Sequence, residues 1–508
     1  MQGAGARYRQ LEGKRDPFLR RAREAAKLTI PSLLPPDLHT GESVLPTPFQ
    51  GLGARGVNNL SSKLLLALLP PNSPFFRLTI DDYSLEQMTQ REGMRAEVEE
   101  ALGKIERATM SEIETSAVRV TAGEVLKHLL VTGNSLMYLP HDGGVKMFRL
   151  DRYVVVRDPM GNVLEIIVKE SISPKLLPRE MGLTEESNDL NPDKTIDLFT
   201  HIHLDESGKK WKVYQEVKNL KVPGTDGDYP LDKSPWLPLR FTKIDGEDYG
   251  RGYVEEYYGD LRSLEALTQA IVEGSAASAK VLFLVNPNGV TQQKTLTEAP
   301  NGAVRSGNAE DVTVLQVQKF ADFRVALETV EAISQRLSYA FLLNSAVQRS
   351  GDRVTAEEIR YMANELESAL GGVYSILSLE FQLPLVKTIM HRLEKQRRIP
   401  SLPKGTVRPA ITTGLEALGR GNDLNKLDLF LAGAVQALGP DVVKERINAG
   451  DYLTRRATAL GIDAKGLVLT DQQIREQQAE QQEDALNAAM AGTGMDMATE
   501  VVKGAMKA

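Results

Sequence analysis

Apolar residues along this chain fall into helical spacing in some stretches and strand-like alternation in others, and the two textures divide it. A basic amphipathic helix is expected from Asp16 to Leu28, closing before Pro31 because the residue ahead of a proline is pushed out of helical geometry. A second begins near Gly53 and carries Asn58, Leu60, Lys63, Leu64 and Leu68 up to Pro70 and Pro71. Phe75 to Ile80 reads as a strand, and Lys146 to Val168 as a hairpin turning at Asp158, Pro159, Gly161 and Asn162, residue types that supply turn geometry. Thr195 to Val222, rich in Ile, Val, Tyr and Trp, reads as further sheet. The front half is therefore mixed helix and sheet.

From Tyr253 the period changes. Val254, Tyr257, Leu261, Leu264, Thr268 and Ile271 recur at three- and four-residue steps, the mark of one helical face. Val281 to Val317 is broken by Asn286, Pro287, Asn288, Gly289, Pro300, Asn301, Gly302, Gly307 and Asn308, which predicts a compact insert of short strands and turns. Phe323, Leu327, Val330, Ile333, Leu337 and Phe341 then restore helical spacing. A long helix from Ala356 to about Leu393 keeps its face through Ile359, Met362, Leu366, Leu370, Val373 and Leu377. Gly371, Gly372 and Pro384 invite kinks in it. From Ile411 on the pattern is largely helical, with breaks at Gly419, Gly421, Gly439 and Gly461. Beyond Asp471 a Gln-, Glu-, Ala- and Met-rich tail lacks an apolar face at first, and fraying or disorder is expected toward its end.

Between the helical stretches lies Leu343 to Tyr361, a short basic loop running into a capped helix. Thr355 and Glu358 form a capping box, each satisfying a backbone donor that the helix start leaves unpaired. Ahead of it, Gln348, Arg349, Ser350, Gly351, Asp352 and Arg353 put two guanidinium groups on a loop with a permissive glycine, suited to moving contact with phosphate. The plain alternative is a solvated turn between antiparallel helices.

At 508 residues the chain has room for two to four domains. It contains no cysteine, which excludes disulfides, thiolate catalysis and cysteine-based zinc sites. Arg7, Arg9, Lys14 and Arg15 are followed by no apolar run, so no signal peptide is expected. The longest apolar run, Leu64 to Leu69, falls far short of the ~20 residues that span a bilayer. A formal charge of −7 argues against a protein that grips nucleic acid broadly, since that needs a basic face. It leaves room for DNA as a passing cargo guided by a few arginines.

Gly51, Gly53 and Gly56 spell the G-x-G-x-x-G of dinucleotide sites. Pro46 and Pro48 stand where the buried strand should be, so close glycine packing is the better reading. There is no G-x-x-x-x-G-K-[ST] loop, so the chain should not itself be an ATP-driven motor. His201 and His203 alternate along a strand with only Asp205 and Glu206 near, which favours surface histidines over a metal pair. The pairs Glu255 with Glu256 and Glu357 with Glu358 sit in first helical turns, where the helix dipole accounts for them. No catalytic, cofactor-binding or metal-ligating residue is assigned, and no enzyme is expected.

The stretches TIPSLLPPD, GLGARGVNNLSSKLLLALLPP, RLDRYVVVRDPMGNVL, DGEDYGRGYVEEYYGDLRSLEALTQAIVEGSAASAKVLFLVNPNGVT, LNSAVQRSGDRVTAEEIRYMANELESALGGVYSILSLEFQLPLV and TTGLEALGRG closely resemble the portal, or head-to-tail connector, protein of short-tailed bacteriophages. They span about Thr29 to about Leu427. The resemblance implies a helix-rich, mixed α+β portal fold assembling as a ring, typically of twelve subunits, at one capsid vertex, with double-stranded DNA passing along its axis. It implies a wing with N-terminal arm over 1–252, stem helices over 253–280 and 320–343, and a clip over 281–319 between them. A tunnel loop over 344–353, a long wing helix over 354–400, a helical crown over 401–470 and a tail over 471–508 complete the set.

In that scheme Gln348, Arg349, Ser350, Gly351, Asp352 and Arg353 face the DNA channel. The clip residues Asn286, Asn288, Lys294, Asn301 and Arg305 meet the motor or the tail. The implied partners are other copies of the chain, the terminase packaging motor, scaffolding and major capsid proteins and tail adaptor proteins, with no cofactor and no membrane. The implied location is the virion, after synthesis in the bacterial host cytoplasm. Two other readings stand beside it: a ring-forming cellular scaffold or adaptor without DNA transit, and a dinucleotide-binding enzyme resting on the glycine motif alone.

Overall fold

The computed structural model describes residues 3–37, 39–71, 74–80, 94–178, 181, 195–278, 282–315, 320–343, 365–366, 368–401, 407–411, 419–459, 466–469 and 473–474. Helices α1 (Ala4–Lys27) and α2 (Leu52–Leu68) come first, then β1 (Phe76–Ile80), α3 (Met94–Thr115) and α4 (Val118–Thr132). The middle holds β2 (Asn134–Tyr138), β3 (Lys146–Phe148), β4 (Tyr153–Arg157), β5 (Val163–Ile172), β6 (Ile196–Leu204) and β7 (Lys210–Val217). It continues with β8 (Leu220–Lys221), β9 (Gly227–Pro230) and β10 (Trp236–Arg240). Next come α5 (Tyr253–Glu256), α6 (Tyr258–Ser278), β11 (Leu282–Val285), α7 (Gln293–Thr297), β12 (Val312–Leu315) and α8 (Phe320–Ala340). Last are α9 (Gly372–Leu377), α10 (Leu383–Lys395), β13 (Val407–Ile411), α11 (Gly419–Leu438), α12 (Pro440–Arg446) and α13 (Ala449–Ala459).

The chain divides into two units, one of residues 1–75 with 111–398, the other of 76–110 with 399–508. In the first, an antiparallel sheet runs β4-β5-β6-β7-β8, with β9 also on β7. The β4–β5 hairpin turns where expected: Gly161 adopts φ 88°, and the Asp158 and Asn162 main chains close the turn at 2.9 Å. Helix α1 packs on this sheet through Ala4, Tyr8 and Leu11 against Val154, Ile167 and Phe199. It starts at Ala4, well before the expected Asp16, and Pro17 lies inside it. An interior proline costs a helix about 3 kcal/mol. Buried residues at three- and four-residue steps, Ala4, Tyr8, Leu11, Arg15, Leu19, Ala22 and Ala26, outweigh it, since each fully buried Leu alone gives about 1.5–3 kcal/mol.

Charged residues of α1 are structural ties. Arg15 is fully buried and donates to the Tyr8 hydroxyl at 2.8 Å and to the carbonyls of Asp151 and Tyr153 at 3.1 and 3.0 Å. The first amides of α1 donate to the Glu216 carboxylate, Ala4 at 2.9 Å and Gly5 at 3.0 Å. That satisfies two donors a helix start leaves open and places an anion at the positive end of its dipole. Arg7 grips Glu165 at 2.9 Å, and Glu165 also meets His201 Nε2 at 2.8 Å.

A second sheet in this unit has the order β10-β2-β3, with Trp236 stacked on Tyr138 at 3.9 Å. Helix α4 packs against α1, α2 and β2. The hydrophobic pattern singled out neither β2 nor β10, and it placed Lys146–Phe148 in the hairpin with β4 and β5, whereas β3 pairs with β2. It also missed α4, because from Val125 to Thr132 nearly every α4 residue is buried. A helix enclosed on all sides has no amphipathic period to find. The expected kinks do appear in the long C-terminal helix of the unit. Gly371 takes φ 51°, a π-helical turn covers Ser378–Gln382, and Pro384 follows in the first turn of α10.

In the second unit β1 pairs with β13 antiparallel, Phe76 opposite Ile411, and Glu106 accepts the Leu78 amide at 2.7 Å. The expected helices past Ile411 are α11, α12 and α13, pinned where Asp428 accepts from the Tyr452 hydroxyl at 2.6 Å and Arg456 at 2.9 Å.

Burial by itself would raise the Glu165 carboxyl, but hydrogen bonds and charges from His201 and Arg7 pull it from the ordinary 4.5 down to about 2. A carboxyl lowered by folding contributes stability above its unfolded value and loses it as pH falls through the folded one. Acidification from pH 4.5 to about 2 should therefore release the start of α1 from the sheet. Hydrogen exchange of the α1 amides reads this, with Arg7→Ala shifting the loss to higher pH. Unchanged protection across the window would refute it.

Candidate functional site: a helix pair on a buried footing

Helices α6 and α8 pack together and flank an insert of β11, α7 and β12. Arg336 on α8 holds Asp260 on α6 at 2.8 Å. Within the insert, the Asp311 carboxylate accepts the Thr291 amide at 3.0 Å, and the Asn286 amide donates to the Asp311 carbonyl at 2.8 Å. A Cβ on Gly289 would overlap that carboxylate. The insert is as compact as its turn residues imply, with one short helix added.

The five candidate residues of the insert are all exposed. Asn286 and Asn288 share one turn, the Asn288 amide donating to Asn286 Oδ1 at 3.1 Å. Lys294 lies on α7, while Asn301 and Arg305 belong to the irregular stretch before β12. No bond gathers the five into one cluster. Around them stand exposed apolar side chains. Phe283 is 66% exposed and faces Val314 across the ribbon, while Leu284, 53% exposed, lies on the opposite face.

The foot of the pair is buried. Phe341 has no exposed surface and meets Tyr253 edge to face at 5.7 Å, while the Tyr253 hydroxyl donates to the Ala340 carbonyl at 2.8 Å. Helix α2 lies beneath. A Cβ on Gly56 would stand 2.6 Å from the Phe341 ring, and one on Gly53 2.5 Å from the Leu28 carbonyl. Asn59 Nδ2 donates to the carbonyls of Phe341 and Leu342 at 3.0 Å each. Lys63 Nζ donates to the Leu342 carbonyl at 3.0 Å and pairs with Glu365 at 3.1 Å. Glu265 on α6 accepts the Phe49 and Gln50 amides just ahead of α2.

Gly53 and Gly56 thus act as the packing reading predicts, whereas Gly51 is exposed with open space around it. The described residues from 39 to 50 form no strand before α2. Gln348, Arg349, Ser350, Gly351, Asp352 and Arg353, with Thr355, Glu357 and Glu358, lie outside the described residues. His201 corrects one expectation. It shares a face with His203, ring centres 4.7 Å apart, but is nearly buried, its nitrogens engaged by Glu165 and by the Tyr214 hydroxyl at 2.9 Å. The partners come from neighbouring strands, which alternation along one strand does not show. Glu255 is held by Arg251 at 2.8 Å and Arg21 at 3.2 Å, an ion-pair role beyond the dipole reading. Among the described residues no helix is long and apolar enough to cross a membrane.

The profile of the family described as "Bacteriophage head to tail connecting protein" matches residues 2–468. The chain belongs to this connector family. Similar proteins include the portal protein of Escherichia phage T7, 47% identical over 486 residues that cover 94% of this chain and 90% of the relative. The portal protein of Enterobacteria phage T3 is 47% identical over 501 residues, covering 96% and 93%. That of Enterobacteria phage SP6 is 29% identical over 490 residues, covering 94% and 93%. The match takes in residues 2–28, so this connector shares more with its family than the stretch from Thr29 to Leu427. Its mixed helix-and-sheet fold is the expected one.

Sequence reasoning passed over Asn59 and Glu365 and placed Lys63 on its helix without a role. A lysine inside the run Leu60 to Leu69 was the available signal, since a charge amid apolar residues marks a buried partner. Gly53→Ala tests the footing by its sign. At an open helical site the change gains up to about 1 kcal/mol, whereas crowding a packed contact costs roughly 1–3 kcal/mol. The connector should lose thermal stability, and a raised melting temperature would exclude the close packing.

Proposed function

We propose that this connector is a portal subunit, one of a ring, typically of twelve, at a capsid vertex, through which double-stranded DNA is packaged and ejected and by which head joins tail. The observation that carries the reading is the 47% identity to phage portal proteins over nearly the whole chain. The insert supports it physically. A two-stranded ribbon with apolar side chains exposed on both faces is marginal alone, and patches of that kind mark interaction surfaces.

The role is geometric and electrostatic rather than catalytic. Each subunit brings a formal charge of −7, so a ring multiplies a field that repels DNA unless basic side chains offset it locally. Arg349 and Arg353 supply such rings within the tunnel loop over 344–353. Exposed ion pairs are worth about 0–1 kcal/mol each. Contacts this weak, repeated around a ring, let DNA slide without locking it. The insert, with Asn286, Asn288, Lys294, Asn301 and Arg305, meets the terminase motor during packaging and tail adaptor proteins afterwards. Scaffolding and major capsid proteins surround the ring, which resides in the virion after synthesis in the host cytoplasm.

End-on electron microscopy of the purified protein should give rings of about twelve subunits with an axial pore, as oligomer symmetry requires of a closing head-to-tail interface. A monomer or closed dimer under several salt conditions would return the scaffold and enzyme readings to contention. With rings in hand, Arg349→Ala combined with Arg353→Ala should leave assembly intact and lower DNA retention. Normal retention in the double variant would remove those arginines from the mechanism.

A further inference from the structure

Lys63 stands in the middle of α2 with its side chain only 6% exposed. A buried ammonium is tolerated only where acceptors surround it, and two of its acceptors come from distant points of the chain. One is the Leu342 carbonyl, just past the end of α8, at 3.0 Å. The other is Glu365, at 3.1 Å. Leu342 itself has φ 53°, a left-handed conformation that a residue with a branched side chain adopts only when its surroundings over-determine it. Asn59 and Lys63 both donate to that carbonyl, and the Leu343 amide closes back on the Ser338 carbonyl at 2.8 Å. The carbonyls ending a helix carry the negative pole of its dipole, so a cation there is stabilised twice, by the dipole and by Glu365.

We propose that Lys63 is a positioning residue of the connector: by tying Leu342 and Glu365 to a single nitrogen, it fixes the distance between the end of α8 and Glu365, which lie on either side of residues 344–364. The assignment rests on the functional reading above, in which that stretch includes the DNA-facing residues. Two features of the site set Lys63 apart from a general stabilising contact. Its partners lie 279 and 302 residues away along the chain, and they sit on opposite sides of the one segment. Glu365 is also the weaker arm, since it keeps partial access to solvent.

The absence of cysteine makes a distance test direct. Spin labels at Tyr339→Cys and Ser368→Cys, both exposed positions, are read by pulsed electron spin resonance in rings where labelled subunits are diluted with unlabelled ones. Native rings should give one narrow distance distribution. Lys63→Met, which keeps the side-chain length and removes both contacts, should broaden or shift it, and Lys63→Arg should restore it. In assembled particles the same Met variant should lower retained DNA, with Lys63→Arg again restoring it. If Lys63→Met fails to assemble, Glu365→Gln takes its place, because it leaves the Leu342 contact whole and should still broaden the distribution. An unchanged distribution in the assembled variant overturns the proposal. So does a broadened one with native DNA retention. Native particles that retain no DNA would speak against the functional reading instead, leaving the distance result to stand by itself.

Discussion

How closely neighbouring chain can approach helix α2 governs the part of the molecule from which the helix pair rises. Gly53 brings the Leu28 carbonyl against the backbone, and Gly56 admits the Phe341 ring where a methyl group would collide. Once Phe341 is seated, the Tyr253 ring lies edge-on to it, and the Tyr253 hydroxyl reaches the last carbonyl of α8. Asn59 and Lys63 then come within hydrogen-bonding distance of the chain leaving α8. At the far end of α2 the Leu68 carbonyl accepts from Gln382, fully buried in the π-helical turn. One helix therefore receives the start of the front segment, the end of the pair and the bend of the long C-terminal helix. Side chains larger than hydrogen at Gly53 and Gly56 would push away the Leu28 carbonyl and the Phe341 ring.

Electrostatics complete what packing begins. Arg240 pairs with Glu380 in the π-turn, and Arg392 pairs with Glu112 at 2.8 Å. Arg157 reaches the carbonyls of Asp248, Gly161 and Pro238, tying the β4–β5 hairpin to the neighbouring sheet. Burial, then the nearby Arg240 charge, pushes the Arg157 guanidinium down to about 10, which leaves it charged at neutral pH. Buried ions of this kind contribute modest net stability, and their loss strands a partner at several kcal/mol. The insert is the opposite case. Its exposed apolar side chains make sense only once covered, and in a portal subunit neighbouring copies and docking proteins would cover them.

Much of this was legible in the sequence where the relevant period is short. The α2, α6 and α8 helices, the β4–β5 hairpin, the turn-rich insert and the kink at Gly371 all follow from spacing and from glycine and proline placement. The reading failed where burial removed the period, as in α4, and where a local signal was outvoted, as in α1 with its internal Pro17. It also failed for His201, whose partners lie on other strands. Asn286, Asn288 and Asn301 were legible as turn positions, while Lys294 lies on a short helix that the turn residues did not announce. The footing was half legible: glycine packing was foreseen, while its partners Leu28 and Phe341 were not.

By itself the sequence determined the α2, α6 and α8 helices, the β4–β5 hairpin, the absence of thiol chemistry, the acidic balance and the connector family, because each is written in residue type and short-range spacing. Only the tertiary structure decided that β1 pairs with β13, that Glu216 receives the start of α1, and that Lys63 joins Leu342 to Glu365. Those partners lie hundreds of residues apart. Which distant groups meet is set by how the chain closes on itself and by the need to satisfy every buried charge and amide at once, and no local pattern carries that information.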